Sequence, residues 1–215
     1  MGTNVYIDGF NLYNGAVKNT SFKWLDLGAL CGTLLPGHTI HRIRYFTATV
    51  LAFKHDPQAP VRQNLYTRAL RTIPNLTVHK DGWFASWPRL LPQFPLAYRS
   101  PKRPPQLVQV QRLEEKRTDV DLATYILVDC FLNDFEEAAV ISNDSDLALP
   151  IEIVRRFGRR IGVINPHAPG RMSGALERAA SYHLRTINRS VLARCQFPPT
   201  LIDAEGRTIT KPASW

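Results

Sequence analysis

Short apolar runs alternate with amphipathic segments along most of the chain. Residues 4–7 form an apolar, β-prone run that breaks at Asp8-Gly9, which is typical of a buried strand and its carboxyl end. The strand pattern recurs at residues 40–50, 76–84, 138–141, 160–164 and 182–187. Helical spacing of apolar residues occurs at residues 11–18, 27–34, 57–73, 119–132, 145–157 and 173–180. This alternation predicts an α/β domain of three layers (α/β/α, Rossmann-like) with a mainly parallel central sheet.

Local signals mark the ends of three predicted helices. Asp26 is expected to cap the helix at residues 27–34, and Thr118 to cap the helix that begins at Asp119. Gly158 is expected to end the helix at residues 145–157.

One internal segment breaks the alternation. Residues 85–105 are rich in proline and in basic residues, which predicts a long loop, and residues 107–113 could return from it as a short strand. The remaining pattern indicates one domain over residues 1–190. A C-terminal tail follows at residues 191–215, predicted either to lie over the domain or to extend from it.

Length and charge narrow the class of protein. A chain of 215 residues with 44% hydrophobic residues is long enough for one well-packed domain. A net charge of +9 and a pI of about 9.8 favour an acidic partner, of which nucleic acid is the commonest, although many basic proteins bind none.

Cysteine usage and the N-terminus suggest a cytoplasmic setting. The three cysteines are far apart and form no CxxC or Cys/His pattern, so neither a disulfide framework nor a zinc site is expected, and Cys31 and Cys130 are predicted core thiols. We expect no signal peptide and no membrane association, because no basic segment leads into a long apolar one.

Four aspartates stand where a parallel sheet would gather them. Asp8 ends the first predicted strand, Asp119 opens a helix, and Asp144 and Asp146 follow the strand at residues 138–141. Each has an ordinary local alternative as a turn residue, a helix cap or a first-turn acid. Their joint placement favours a site, because functional groups converge outside the carboxyl ends of parallel strands. Clustered carboxylates repel one another, and a hard cation such as Mg²⁺ or Mn²⁺ offsets that repulsion.

Three motifs carry a family resemblance. The segments VYIDGFNL (residues 5–12), EKRTDVDLA (115–123) and ISNDSDL (141–147) resemble the NYN domain of the PIN-like nuclease superfamily, including its bacterial branch once labelled a domain of unknown function. The resemblance covers roughly residues 3–187, and the three motifs are specific only in combination. It implies a three-layer PIN-like fold and a Mg²⁺- or Mn²⁺-dependent endoribonuclease.

The resemblance also implies roles for particular residues. It makes the metal ligands Asp8, Asp119, Asp144 and Asp146, and it adds Asn11 to these acids as a catalytic residue that orients a water or a metal ligand. The candidates for a supporting set around the metal ligands are Asp121, Ser142, Asn143 and Glu115, and for Glu115 a solvated surface position is the favoured alternative. Asp121 is two residues, about 200° around a helix, from Asp119, so the two cannot both face one metal. Many relatives have Gly where Asn143 stands, and Gly or Gln where Arg117 stands.

Basic and aromatic residues near these motifs are candidates for RNA contact. The expected phosphate-binding residues are Lys116, Arg117, Arg99, Lys102 and Arg103. Trp83 and Trp87 could stack on unpaired bases, although Trp83 in a strand favours a packing role. A cluster formed by Arg155, Arg156, Arg159 and Arg160 suits either a helix C-terminus or a phosphate patch. His167 and Arg171 follow a strand end. They could face the site, but a location away from it is the favoured interpretation.

Hydrolysis of RNA phosphodiester bonds is therefore the expected function, with RNA as partner and a homodimer left open as the assembly. No Ser/His/Asp or Cys/His nucleophilic set and no glycine-rich phosphate loop is evident. The first alternative is a non-catalytic RNA-binding or regulatory module that retains the PIN-like fold. The others are a partner-binding protein that docks through the proline-rich loop and, less favoured, a phosphatase acting on small molecules.

Overall fold

A computed structural model describes residues 2–93 and 106–215. The strands are β1 Thr3–Asp8, β2 Ile40–Ala48, β3 Leu76–Pro92, β4 Leu107–Lys116, β5 Glu137–Ile141, β6 Arg160–Ile164, β7 Tyr182–Leu184, β8 Thr200–Ile202 and β9 Thr208–Thr210. The α-helices are α1 Gly9–Leu12, α2 Leu27–Leu34, α3 Ala59–Leu70, α4 Thr118–Phe131, α5 Ala148–Arg156, α6 Gly174–Ala179 and α7 Arg189–Arg194. A π-helical turn spans Tyr13–Val17, and 3₁₀ turns span Ser145–Leu147 and Pro169–Arg171.

Seven strands form one sheet in the order β4-β3-β2-β1-β5-β6-β7. All neighbouring pairs are parallel except β3–β4, which is antiparallel. Helices cover both faces, so the predicted three-layer, mainly parallel fold is confirmed. No helix in the part of the chain that the structure describes is long and apolar enough to cross a membrane.

The alternation of side chains along β1 produces two hydrophobic cores, one on each face of the sheet. Val5 and Ile7 belong to the core beneath α2, α3 and α7. Tyr6 lies on the opposite face, in the core beneath α4, α5 and α6. Because both faces of β1 are covered, all six of its residues are buried and the strand is held rigidly.

The prediction of a loop at residues 85–105 is wrong for residues 85–92, which are part of a strand. β3 continues to Pro92 and pairs with β4 from Trp83–Lys116 to Pro92–Leu107, which makes a two-stranded ribbon. Beyond Gly82, β3 has left its other neighbour β2, so one edge of the strand is free. Proline is tolerated at such an edge because no ladder hydrogen bond needs its missing N–H. The rest of the predicted loop, residues 94–105, lies outside the described residues.

The C-terminal segment lies over the domain, which is the first of the two alternatives predicted for it. Phe197 and Ile209 are buried in the same core as β1. Trp24 donates a hydrogen bond from Nε1 to the carbonyl oxygen of Pro198, and its ring centroid lies 6.1 Å from that of Trp215. The strands β8 and β9 form an antiparallel pair in this segment.

Helix α4 does not begin as predicted. Thr118 is its first residue rather than its cap, and it is buried. The cap position belongs to Arg117, whose φ is +86°. A Cβ at Gly82 would lie 2.5 Å from the Thr118 hydroxyl, so the start of α4 packs directly against the backbone of β3.

Replacing Arg117 with glycine is expected to stabilise the protein by about 1 kcal/mol, because a positive φ is unfavourable for a residue with a Cβ and free for glycine. Loss of the exposed ion pair between Arg117 and Asp121 would offset only part of this gain. Urea denaturation measures the change, with Arg117→Ala as the control that loses the ion pair and keeps the strain. Equal stability of the two variants would contradict the prediction.

A buried ion pair fastens α4 to the sheet. Arg44 on β2 donates from Nε (2.7 Å) and from one terminal nitrogen (2.8 Å) to the two oxygens of Asp129 on α4. The Tyr6 hydroxyl donates a further hydrogen bond of 2.8 Å to Asp129, and the guanidinium lies 4.5 Å from the centroid of the Tyr125 ring. This contact fixes α4 relative to β1 and β2, and with it the position of Asp119 in the first turn of that helix.

Candidate active site

The strand order reverses at β1, which has β2 on one side and β5 on the other. In doubly wound sheets the crevice at such a reversal lies outside the carboxyl ends of the two central strands. Asp8 is the last residue of β1, and Ser142 follows the last residue of β5. The fold therefore places these two side chains at the position where open α/β sheets bind ligands.

Asp8 is held in place by hydrogen bonds to both of its oxygens. Its Oδ1 accepts from the backbone N–H of Asn11 at 2.9 Å, which caps α1, and its Oδ2 accepts from the Ser142 hydroxyl at 2.9 Å. Asp8 is 4% exposed and Ser142 is fully buried. These contacts orient the carboxylate, and Ser142 supports Asp8 directly.

The segment after β5 extends this network to the next acid. The Ser142 hydroxyl accepts a hydrogen bond of 3.1 Å from the backbone N–H of Asp144. Asp144 in turn accepts from the backbone N–H of Asp146 at 3.0 Å and caps the 3₁₀ turn. Asp144 therefore is a helix cap, as one of the alternatives for it predicted, and it is also linked to Asp8 through Ser142. Asp146 is exposed at the same turn.

Asn11 forms the centre of a second set of contacts. Its side-chain Oδ1 accepts from the backbone N–H of Asn143 at 3.0 Å and lies 3.0 Å from Nε2 of His167. Asn143 is itself fixed by Arg171 and Ser173, through the carbonyl oxygen of the former (2.6 Å) and the N–H of the latter (2.7 Å). The structure therefore brings His167 to the site, which was the less favoured of the two interpretations of its sequence position.

His167 is expected to be neutral at this location. Burial, and then the nearby guanidinium of Arg171, lower its pKa from the ordinary value. A neutral imidazole with its proton on Nε2 donates to the amide oxygen of Asn11. Because the Asn11 oxygen is engaged twice, its amide N–H groups remain available to a ligand.

Electrostatic coupling shows which acids share the site. Burial raises the pKa of Asp8 to about 6, and repulsion from Asp119 and Asp144 adds to the shift. The pKa of Asp119 is raised by burial and then by Asp144 and Asp146. The acids that act on Asp8 and Asp119 come from three separate segments, so the fold brings the four predicted acids into one neighbourhood.

Glu115 is a fifth acid of the site, more deeply placed than its sequence position in a charged segment suggests. Burial raises its pKa to about 7, and the carboxylates of Asp8 and Asp119 raise it further. The Thr118 hydroxyl lies near enough to this carboxylate to offset part of the shift.

The donor set suits a hard divalent cation. As they stand, no three His, Cys, Asp or Glu side chains in residues 2–93 and 106–215 form a group that could hold a metal ion. Repulsion from neighbouring carboxylates nevertheless raises the pKa values of Asp8 and Asp119. Carboxylate oxygens are the ligands that hard divalent cations take, so the residue types, though not their present spacing, would suit such an ion.

Several predicted residues make other contacts. Asp121 pairs with Arg117 at 3.0 Å, and Lys116 pairs with Glu114 at 2.7 Å. Both basic side chains therefore have carboxylate partners in the structure, and a role in phosphate binding stays a prediction for them. The predicted phosphate-binding residues Arg99, Lys102 and Arg103 lie outside the described residues.

The arginine cluster lies at the wrong end of the sheet to meet the acids. Arg160 opens β6, whereas the site lies beyond the last residues of the strands. Arg155 donates to the carbonyl oxygens of Arg178 and Ala179, and Arg159 donates to the Asn133 side chain. Arg156 and Arg160 pair with glutamates. These contacts are structural, and the phosphate-patch alternative is not supported.

The two tryptophans of the ribbon differ in their surroundings. Trp83 is 53% exposed, so the packing role expected for it is wrong. The Trp87 ring has the cations of Arg89 and Lys116 at 5.4 and 5.9 Å from its centroid. Exposed Trp83 remains available for stacking on an unpaired base.

An open cavity of about 540 Å³ adjoins the acids, and nothing in the sequence pattern indicated it. Its walls include residues from α1 and the π-helical turn, β2, α3 and the ribbon, together with the C-terminal Ser214 and Trp215. Each of these segments contributes at least one aromatic side chain to the walls: Phe10, Tyr13, Tyr45, Tyr66, Phe84 and Trp215. The volume falls in the range of sites for small ligands or single ring systems.

A doubly wound sheet with coupled carboxylates at the carboxyl ends of its two central strands defines a PIN-like, nuclease-type domain. The chain belongs to the NYN domain family, whose model matches residues 2–188. This confirms the family resemblance of the three acidic motifs.

Two comparisons with individual proteins add to this. The chain is 28% identical to the 6-hydroxy-3-succinoylpyridine 3-monooxygenase HspA of Pseudomonas putida, over 99% of this chain and 75% of that protein. Its fold resembles the crystal structure of VPA0982, a protein of unknown function from Vibrio parahaemolyticus, with a TM-score of 0.53 and 13% identity over 87% of this chain and 94% of that one. The second likeness concerns the fold alone.

Proposed function

We propose that the protein is a metal-dependent ribonuclease that hydrolyses RNA phosphodiester bonds at the acid site. The observation that carries the proposal is the convergence of acids at the point where the strand order reverses: Ser142 links Asp8 to the backbone of Asp144 by hydrogen bonds, and Asp119 lies near enough to raise the pKa of Asp8. Carboxylates gathered in this way favour a divalent cation, and the net charge of +9 favours a polyanionic substrate.

The residues of the site divide into two roles. Asp8, Asp119, Asp144 and Asp146 would hold Mg²⁺ or Mn²⁺, with Glu115 as a further carboxylate beside them. When bound, such an ion lowers the pKa of a water ligand and offsets charge on a phosphate group.

The remaining polar residues position the substrate and the acids. Ser142 orients the Asp8 carboxylate, and Asn143 holds Asn11 through its backbone N–H. The free amide N–H groups of Asn11 are suited to donate to a phosphate oxygen. Asp121 serves to pair with Arg117 and stands outside the reacting set.

The activity named for the Pseudomonas relative provides a second candidate, oxygenation of a small heteroaromatic ring. The aromatic cavity beside the acids is the observation that favours it. Consumption of 6-hydroxy-3-succinoylpyridine with O₂ and a nicotinamide or flavin reductant, without RNA cleavage, would support this candidate over the ribonuclease. Binding of RNA without cleavage under any metal condition would instead support the non-catalytic module.

Two aspartates on the first turn of α4 offer a matched test of the ribonuclease proposal. Asp119→Asn is expected to lower Mn²⁺-dependent cleavage of end-labelled RNA about a hundredfold, because it removes one charged oxygen donor from the site. Asp121→Asn, two residues away, is expected to stay within about threefold of the wild type, because Asp121 pairs with Arg117.

Excess EDTA serves as the control for metal dependence, and the melting temperature of each variant serves as the control for folding. Cleavage by the wild type that persists in EDTA, or equal cleavage by the two variants, would overturn the proposal.

A further inference from the structure

The aromatic cavity and the acid site share a wall. Gly9, which lines the cavity, follows Asp8 directly in the chain. A Cβ at Gly9 would lie 2.7 Å from the hydroxyl of Tyr45, so only glycine allows the Tyr45 ring to approach the end of β1 this closely. The carboxylates of Asp8 and Glu115 are near enough to this buried hydroxyl to raise the pKa of Tyr45, after the larger effect of burial.

The ribbon closes the same wall from the other side. Phe84 on β3 pairs in register with Glu115 on β4, and its ring meets that of Phe10 edge to face, with centroids 5.3 Å apart. The Phe10–Phe84 pair lines the cavity. Asp8, two residues before Phe10, and Glu115, the cross-strand partner of Phe84, belong to the acid site.

The cavity walls combine aromatic faces with a few polar side chains, among them Lys23 and Arg62, and suit a flat ring. Phe53, Tyr13 and Trp215 contribute further aromatic side chains to them. The cation of Arg62 is already paired with Asp56, so it does not demand an anion. The side-chain amide of Gln63 is likewise engaged, because it accepts from Val50 and donates to Ala48.

We infer that this cavity receives the unstacked base of the nucleotide whose phosphate lies at the acid site. The inference rests on the proposed ribonuclease function and specifies the substrate as single-stranded at the cut position. A nucleobase is a planar, neutral ring tethered to a phosphate, and bases of single-stranded RNA are commonly held against aromatic side chains. The hydroxyls of Tyr13 and Ser214 line the cavity and can meet the polar edge of a base.

A binding experiment tests the inference independently of cleavage. Short oligoribonucleotides that carry one 2-aminopurine are titrated with the wild type in EDTA, and the fluorescence change reports insertion of the base. Ala59 lines the cavity at the start of α3. Ala59→Trp should fill the space and weaken binding about tenfold, whereas Ala59→Ser should remain within twofold. Phe84→Leu removes one aromatic face and keeps the apolar volume, and it should weaken binding about fivefold. This second variant keeps the test informative if Ala59→Trp fails to fold.

A cleavage experiment supplies the second arm. A substrate with an abasic nucleotide at the cut linkage should show a KM about tenfold higher than the same substrate with its base. Cleavage of both substrates with equal KM, and no fluorescence change, would overturn the base site and leave the ribonuclease proposal intact. Absence of cleavage with a fluorescence change that Ala59→Trp abolishes would overturn the ribonuclease proposal and support the base site. Saturable binding of a free hydroxypyridine that Ala59→Trp blocks, without any response to oligonucleotides, would overturn the base assignment.

Discussion

Replacing Asp8 with asparagine is expected to lower RNA cleavage by roughly a thousandfold and, in EDTA, to raise the stability of the protein at pH 8. The loss of activity follows from removal of the most central carboxylate, which contacts both Asn11 and Ser142 and is coupled to Asp119 and Asp144. The gain in stability follows from the cost of keeping that carboxylate charged in a buried position beside other acids.

The sign of the pH dependence follows from the pKa of Asp8. Its folded-state pKa of about 6 lies above the ordinary 3.8, so the folded protein binds this proton more tightly than the unfolded chain does. The stability that Asp8 contributes is present below about pH 4, falls as the pH rises from 4 to 6, and is absent above. A shift of two pKa units corresponds to about 3 kcal/mol, and we expect Asp8→Asn to recover about 1–3 kcal/mol at pH 8.

Urea denaturation of wild type and variant in EDTA, at pH 4.5 and pH 8, measures the effect as the difference between the two proteins at each pH. Asp26→Asn is a matched control, because Asp26 also caps a helix, accepting from the N–H of Ala29, but has no acidic cluster around it. Asparagine and aspartate are comparable caps, so that variant should change by less than about 0.5 kcal/mol. A destabilised Asp8→Asn protein at pH 8 would contradict the predicted penalty.

Replacing Asp129 with alanine is expected to destabilise the protein by about 3–5 kcal/mol. The substitution leaves the Arg44 guanidinium, whose side chain is 11% exposed, without its counter-charge, and it removes the acceptor of the Tyr6 hydroxyl. A buried charge that has lost its partner costs far more than the intact pair contributes. Urea denaturation measures the loss.

A partly exposed pair offers the comparison. Glu152→Ala removes the partner of Arg156, whose side chain is 73% exposed, and should cost less than about 1 kcal/mol. Combining Asp129→Leu with Arg44→Met removes both buried charges and should restore much of the stability. An Asp129→Ala variant that loses less than 1 kcal/mol would show that Arg44 reaches solvent without its partner.

The parallel architecture could be predicted because its elements carry local signals. Asp8 ends a strand whose apolar run and following glycine are adjacent in sequence, and Asp144 follows another such run. Once a parallel sheet is inferred, the carboxyl ends of these strands must meet at one edge. The helix geometry that separated Asp121 from Asp119 is equally local, and the structure places Asp121 with Arg117 instead.

Features that depend on contacts between distant segments could not be predicted in this way. The tail gives no local sign that Trp215 packs against Trp24, and His167 gives none that it reaches Asn11. The prolines of residues 88–92 favoured a loop, because a free strand edge is a property of the sheet and is not visible in the sequence. The cavity has the same origin, since its walls come from several segments brought together only by folding.

The support of Asp8 by Ser142 has a consequence for the synthesis of the protein. The two residues are 134 positions apart, and a nascent chain that has emerged only as far as residue 135 contains Asp8 and Asp119 but lacks all of β5. In such a chain the open side of β1 has no neighbour, and neither Ser142 nor Asp144 is present to complete the acid site. Domains whose contacts span long sequence separations form these contacts late. The order of synthesis therefore delays assembly of the acid site until most of the domain has left the ribosome.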